Sequence, residues 1–202
     1  KVAGDLQAGT VAQALDSELV VQVNDGQGRP YRGAVVIFAV PQGGGSVETI
    51  IPPTGENGQV RTQWTLGTAA GTAHEVTATL GGVGAVTFGA TALAGAPVTI
   101  VSVAGDNQSG AVNAPLAEPL VVRLDDRYGN IVPGRRVDFS IMSGGGALVP
   151  TSDTTGVDGR AQASWTLGGA PGGQTAQAVA AGLVPVTFSA TAALAGGQRR
   201  GP

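Results

Sequence analysis

Apolar and polar side chains alternate along many short segments of this chain. In one of them, Val137, Phe139 and Ile141 are separated by the polar residues Asp138 and Ser140. A period of two is typical of a β-strand with one buried face and one solvated face. No segment has a helical period long enough to predict a helix, and Gly, Asn and Asp mark the turns between the alternating segments. The pattern therefore predicts an all-β protein.

The whole pattern occurs twice. Trp64 recurs as Trp165, 101 residues later, within the same sequence WTLG. A period near 100 residues is too long for a solenoid repeat and fits a complete domain with its own core. We therefore predict two tandem immunoglobulin-like β-sandwiches, residues 1–95 and 96–202, each with about seven short strands. A tryptophan and a phenylalanine are predicted to centre each core: Trp64 with Phe38, and Trp165 with Phe139.

Composition narrows the class of protein further. Of 202 residues, 42% are hydrophobic and 12% are charged, which is enough to build a core, and 34 Gly and 12 Pro make the chain rich in turns. The absence of cysteine excludes a disulfide scaffold, a cysteine-ligated zinc site, an iron–sulfur cluster and a thiol nucleophile. A net charge of −3 gives no basic surface for nucleic acid. The apolar runs are far shorter than the roughly 20 residues of a membrane span, so none is predicted.

Three motifs of the second copy carry a resemblance to a known family. They are DRYGN at 126–130, TGVDGRA at 155–161 and VTFSA at 186–190. With the glycine cluster between them, they resemble the immunoglobulin-like repeats of the bacterial adhesins invasin and intimin. The first copy departs from the motifs in its turns, where Arg29 replaces the asparagine and Asn57 replaces the aspartate. The resemblance implies an extracellular stalk or spacer in a multidomain surface protein, with no catalytic residues.

The residues that invite a catalytic interpretation are few. His74 is the only histidine, and we predict a solvated position at a strand edge for it rather than a catalytic or metal-binding role. The glycine triplets at 43–45 and 144–146 are not followed by Lys-Ser or Lys-Thr, as a phosphate loop requires. We interpret both triplets as turns that need positive φ. The glutamates are scattered along the chain, so no carboxylate pair is predicted and an enzyme is not expected.

Six aspartates offer oxygen ligands of the kind that calcium prefers. Their spacing resembles no known calcium loop, so we predict that they cap their own turns and that no metal or cofactor is bound. If calcium did bind, the second domain and the junction between the domains would be the places to look. The aspartates are Asp25, Asp106, Asp125, Asp126, Asp153 and Asp158.

One strand of the first copy differs from its counterpart on the outward face. Phe38 is predicted to point inward, so Val35, Ile37 and Ala39 point outward. At the equivalent positions the second copy has Arg136, Asp138 and Ser140. Because large exposed apolar patches mark contact surfaces, we predict that the first domain buries this face against a neighbouring chain or an adjoining domain. Surface hydrophobic residues that are simply tolerated remain the alternative.

The predicted function is a non-enzymatic structural module of a secreted or surface-displayed bacterial protein: an adhesin stalk, a spacer or a fibre subunit. Its partners would be neighbouring immunoglobulin-like domains or identical subunits. A carbohydrate- or protein-binding module is the alternative, for which Tyr31 and Tyr128 would supply aromatic contacts. A fibre whose subunits share terminal strands is a third interpretation, in which a neighbour would hold the tail at 199–202.

Overall fold

The computed structural model of the protein describes residues 1–194, and all of its regular elements are β-strands. The chain divides into two compact units that meet at Gly95 and Ala96. The tail at 199–202, which a neighbour would hold in a fibre of shared strands, lies outside the described residues. Independent folding of the two units stays a prediction.

The first unit is built from eight strands. They are β1 (Gln7–Thr10), β2 (Leu19–Gln22), β3 (Val36–Gln42), β4 (Gly45–Val47), β5 (Gln59–Thr62), β6 (Trp64–Leu66), β7 (Ala73–Leu80) and β8 (Gly84–Leu93). One layer is a sheet with the order β1-β8-β7-β3, and the other contains the pairs β2-β5 and β4-β6. Only Gln63 separates β5 from β6, so these two elements form one interrupted line across their layer.

The described part of the second unit contains nine strands. They are β9 (Pro97–Ala104), β10 (Gln108–Ala111), β11 (Leu120–Asp126), β12 (Arg136–Ser143), β13 (Gly146–Val149), β14 (Ser152–Thr154), β15 (Arg160–Leu167), β16 (Gly172–Val179) and β17 (Val186–Ala193). Its layers have the orders β10-β17-β16-β12-β14 and β13-β15-β11-β9. The count exceeds the predicted seven because short edge strands such as β14 add to the main strands of the sandwich.

The predicted core is confirmed in both units. Trp64 and Trp165 are fully buried, and Phe38 and Phe139 are buried beside them between the layers. The phenylalanines of the last strands, Phe88 and Phe188, are fully buried as well. Period-two alternation placed these side chains because successive side chains of a strand point to opposite faces of its sheet.

Both glycine triplets are turns, as the sequence predicts. Residues 43–45 have φ values of 82°, 68° and 91°, and residues 144–146 have 86°, 75° and 99°. These values lie in the left-handed region that glycine enters without a steric penalty. The triplet also needs a second glycine beside it, since a Cβ added to Gly168 would lie 1.9 Å from the carbonyl oxygen of Gly144.

Candidate functional site: an uncharged sheet face and a free strand edge

The outward side chains of β3 lie where the sequence predicts. Val35, just before the strand, is 62% exposed and Ile37 is 64% exposed, whereas Phe38 between Ile37 and Ala39 points into the core. Ala39 is exposed as well. Val35, Ile37 and Ala39 therefore form an apolar row along β3, a strand at the edge of the sheet.

Uncharged side chains continue this row across the sheet. The register pairs Ile37 with Thr79 and Ala39 with Thr77 on β7, and these threonines pair with Ala85 and Thr87 on β8. None of these four neighbours is ionisable. We call the surface formed by Val35, Ile37, Ala39 and these four neighbours the uncharged face.

The second unit has charges at the equivalent position. Arg136 and Asp138 form an exposed ion pair on β12, with a 2.7 Å separation between Nη2 and Oδ1. The hydrogen bond from the Arg136 guanidinium lowers the pKa of the Asp138 carboxyl and raises the pKa of Arg136 itself. An exposed pair of this kind adds little stability, but it keeps the strand face hydrated. The two units therefore present chemically different surfaces on the same fold.

The two units also differ at the edge of this sheet. In the second unit β14 pairs with β12, and the backbone N–H of Phe139 donates to Thr151 O at 2.9 Å. The corresponding segment of the first unit contains Pro52 and Pro53, which have no backbone N–H to donate. That segment forms no strand, so the sheet of the first unit ends at β3.

The unpaired backbone groups of β3 can be assigned to individual residues. Ala34 faces the open side, because its N–H donates to Thr54 Oγ1 and its C=O accepts from Thr54 N, both at 2.9 Å. Alternate residues of a strand direct their N–H and C=O groups to the same side, so Val36 and Phe38 face that side too. Within residues 1–194 these groups have no hydrogen-bond partner there. We call the backbone of Val36 and Phe38 the free edge.

An early strand of each unit is paired in parallel with the last strand of that unit. β1 lies beside β8 with Ala8 opposite Thr91, and β10 lies beside β17 with Ser109 opposite Thr191. In the second unit β9 precedes β10 and pairs antiparallel with β11 in the other layer, so β10 is the second strand of that unit. A pull that acts on β1 or β10 from one side and on the last strand from the other would load the parallel hydrogen bonds along the strands.

Asp25 and Asp126 cap their own turns, as the sequence predicts. Asp126 Oδ1 accepts from the backbone N–H of Tyr128 at 2.8 Å and of Asn130 at 2.9 Å. Asp25 accepts from the backbone N–H of Arg29 at 2.9 Å, so the replacement of asparagine by arginine in the first copy keeps the capped turn. This backbone hydrogen bond is the main reason why the pKa of Asp25 is lowered.

Asp158 also caps its turn, through the backbone N–H of Arg160, whereas the other three aspartates form contacts outside a turn. Asp106 Oδ1 accepts from the backbone N–H of Ser189 at 2.8 Å and so fastens the segment between β9 and β10 to β17. Asp153 Oδ2 accepts from the backbone N–H of Gln162, and Asp125 holds the guanidinium of Arg123. Across residues 1–194, His, Asp and Glu form no group of three or more that could hold a metal ion.

The prediction for His74 is wrong. The side chain is only 1% exposed, because it lies on the same face of β7 as Val76 and Ala78. Its Nε2 lies 2.8 Å from the carbonyl oxygen of Ala69, which accepts the hydrogen bond. The equivalent residue of the second unit is Gln174, which is just as buried. The period of two along β7 indicates an inward side chain at position 74. The usual exposure of histidine on protein surfaces led to the opposite prediction.

The two tyrosines are surface residues in unequal settings. Tyr31 and Tyr128 are both exposed, and Arg127 lies over the ring of Tyr128 with its Cζ 5.8 Å from the ring centroid. Tyr31 lies between β2 and β3, and Tyr128 lies in the turn between β11 and β12. Neither unit pairs its tyrosine with a second exposed aromatic side chain in the described residues.

Solved bacterial structures share this fold. The chain is similar to InvD of Yersinia pseudotuberculosis, with a TM-score of 0.59 and 16% identity over 98% of this chain and 58% of that one. It is also similar to FdeC, an Escherichia coli adhesin, with a TM-score of 0.53 and 20% identity over 92% of this chain and 62% of that one. The chain thus spans about three fifths of the length of either structure.

The chain therefore shares the fold of these two proteins, and its tandem immunoglobulin-like β-sandwiches agree with the fold predicted from the sequence. At these identities the similarity establishes the fold alone. No protein-family model matches the sequence, and no curated protein sequence matches it. Among residues 1–194, no helix has the length and apolar character needed to cross a bilayer.

Proposed function

We propose that the chain is a non-enzymatic structural module of a secreted or surface-displayed bacterial protein and acts as a stalk or spacer that bears tension. The parallel pairing of β1 with β8 and of β10 with β17 carries this proposal. A stalk is pulled along its chain, and in this arrangement the pull acts on several hydrogen bonds at once rather than opening them one after another. The adhesin fold supports an extracellular location for the same role.

Force spectroscopy on the chain held at its two ends tests this role. Two unfolding events are expected, and the event of the first unit, Lys1–Gly95, should release about 30 nm, given roughly 3.5 Å per extended residue. Ala8→Pro removes an N–H from β1 and should lower the unfolding force of the first unit alone. Ser109→Pro is the matched change in β10 and should weaken only the second unit.

Two results would contradict the tension-bearing role. One is a single unfolding event, which would mean that the units do not resist force separately. The other is an unchanged unfolding force in both proline variants, since rupture would then not begin at the parallel pairs β1-β8 and β10-β17. In either variant the unit that was not changed provides the internal control.

We further propose that the uncharged face, with Val35, Ile37 and Ala39 at its centre, is a contact surface for a neighbouring domain or an identical subunit. The double variant Val35→Arg with Ile37→Asp introduces the kind of charges that the second unit has. It should abolish assembly measured by light scattering while circular dichroism stays unchanged. Val83→Arg, which adds a charge at another exposed valine of the same unit, is the control and should leave assembly intact. Unchanged assembly in the double variant would refute this contact surface.

A binding module that displays its loops to a glycan or protein is the second candidate, favoured by the exposed rings of Tyr31 and Tyr128. A glycan array separates it from the stalk. The stalk predicts no glycan binding above that of a variant with Tyr31→Ser and Tyr128→Ser. Binding that this variant loses would favour the binding module instead.

A further inference from the structure

We propose that the free edge of β3 pairs with the free edge of a second copy of this chain, so that two first units share one continuous sheet. This inference deepens the proposed contact surface by naming its partner and its geometry. An antiparallel pair centred on Ile37 places Val36 opposite Phe38 of the second copy. Each pair of this kind exchanges two hydrogen bonds, so the two symmetric pairs satisfy all the unpaired groups on both edges.

The side chains of this strand fit such a two-fold pair. Ile37 would meet its own copy, and Val35 would meet Ala39, all on the outward side of the shared sheet. An isologous contact brings a residue near the axis against itself, so a charge there would be repelled. The second unit has Asp138 at that position and would oppose carboxylate to carboxylate. The first unit has no such obstacle.

In the first unit, Pro41 and the register shift between Ala39 and Gln42 protect only the end of β3. From Val35 to Ala39 the edge contains no charged residue and no proline, the residues that natural proteins use to block pairing. In the second unit β14 covers the same edge. In the first unit the segment with Pro52 and Pro53 passes without a backbone hydrogen bond to β3, and its neighbour Ile50 is 89% exposed. The two copies of the fold thus differ in the one feature that permits edge pairing.

Edge pairing over five residues buries less surface than the roughly 1,600 Å² of a standard interface, so we expect a weak dimer. Attachment of many copies to one surface would raise their effective concentration and favour pairing. The assay therefore has to trap the pair. Since the chain has no cysteine, single cysteines can be introduced without any background of native disulfides.

Ile37→Cys in the full chain is the central test. Residues opposite each other at a non-hydrogen-bonded position have Cα atoms about 4.5 Å apart, within the range that a disulfide spans. Under mild oxidation this variant should form disulfide-linked dimers, at least about tenfold more than Asp138→Cys, whose edge is covered. The register is tested by mixing Val35→Cys with Ala39→Cys. The mixture should cross-link, whereas Val35→Cys alone should not, because its two copies would lie four residues apart along the strands.

The outcomes separate the proposals. If Ile37→Cys forms no more dimer than Asp138→Cys, or if Val35→Cys links to itself as readily as to Ala39→Cys, edge pairing in this register is wrong. If that happens while Val35→Arg with Ile37→Asp still abolishes assembly, the contact surface stands and only its geometry changes. Force spectroscopy tests the stalk by itself and does not depend on either result.

Discussion

His74 and Gln174 occupy equivalent buried positions in the two units but form different hydrogen bonds. This difference allows a quantitative prediction for the free energy of unfolding of each unit. His74 Nε2 donates to Ala69 O, which leaves Nδ1 as a buried acceptor with no partner in the described residues. Gln174 uses both ends of its amide. Its Oε1 accepts from Gly168 N at 2.8 Å, and its Nε2 donates to Ala170 O at 2.9 Å. Glutamine therefore satisfies a site in which histidine leaves one polar atom without a partner.

His74→Gln should stabilise the first unit. A buried acceptor without a partner costs about 1–3 kcal/mol, and the replacement supplies the second hydrogen bond through Gly67 N, the counterpart of the Gly168 amide. Fixing the longer glutamine side chain costs up to about 2 kcal/mol in rotamer entropy. We expect a net gain of about 1 kcal/mol in the free energy of unfolding, which for a domain of this size raises Tm by about 4–8 °C.

Calorimetry on the full chain measures this change, and amide hydrogen exchange assigns each transition to a unit. Gln174→His is the reciprocal control and should lower the Tm of the second unit by a similar amount, with the first unit unaffected. The reasoning is refuted if His74→Gln lowers the Tm of the first unit. It also fails if Gln174→His leaves the second unit unchanged, since the second hydrogen bond would then contribute nothing.

Three further predictions concern the core, the acid stability and the metal dependence of the chain. Trp165→Ala empties a fully buried site and should cost the second unit about 3–5 kcal/mol in urea denaturation, and a loss below about 1 kcal/mol would contradict its central place in the core. The backbone hydrogen bond from Ser189 lowers the pKa of Asp106 from its ordinary value of 3.8. The stability that this carboxylate contributes is therefore present above pH 3.8 and is lost as the pH falls further. In melting curves recorded at a series of pH values, Asp106→Asn should reduce the fall in the Tm of the second unit at acid pH. Chelator should leave both melting temperatures unchanged, and a fall that calcium restores would overturn the turn-capping account.

The sequence by itself determined the elements and their repetition. Alternation with a period of two follows from strand geometry. It assigned Phe139 to the inward face of β12 and Ile37 to the outward face of β3 without reference to any partner strand. The repeat at 101 residues allowed each assignment to be compared between the two copies. The comparison showed that the first copy has the apolar Ile37 on its outward face where the second copy has Asp138. The period of two depends on neighbouring residues and the repeat depends on a comparison of the chain with itself, so one sequence is enough to find both.

The tertiary structure decided which strands are neighbours, and through this which groups are left unpaired. The sequence identifies Pro52 and Pro53 as residues that disfavour a strand, but it does not say which strand they leave uncovered. That depends on a pairing across the fold, since the equivalent segment of the second unit lies against β12. The burial of His74 likewise depends on the layer that packs above it. Backbone preferences are set by adjacent residues, whereas hydrogen-bond partners across a sheet and burial between layers are set by residues distant in the chain.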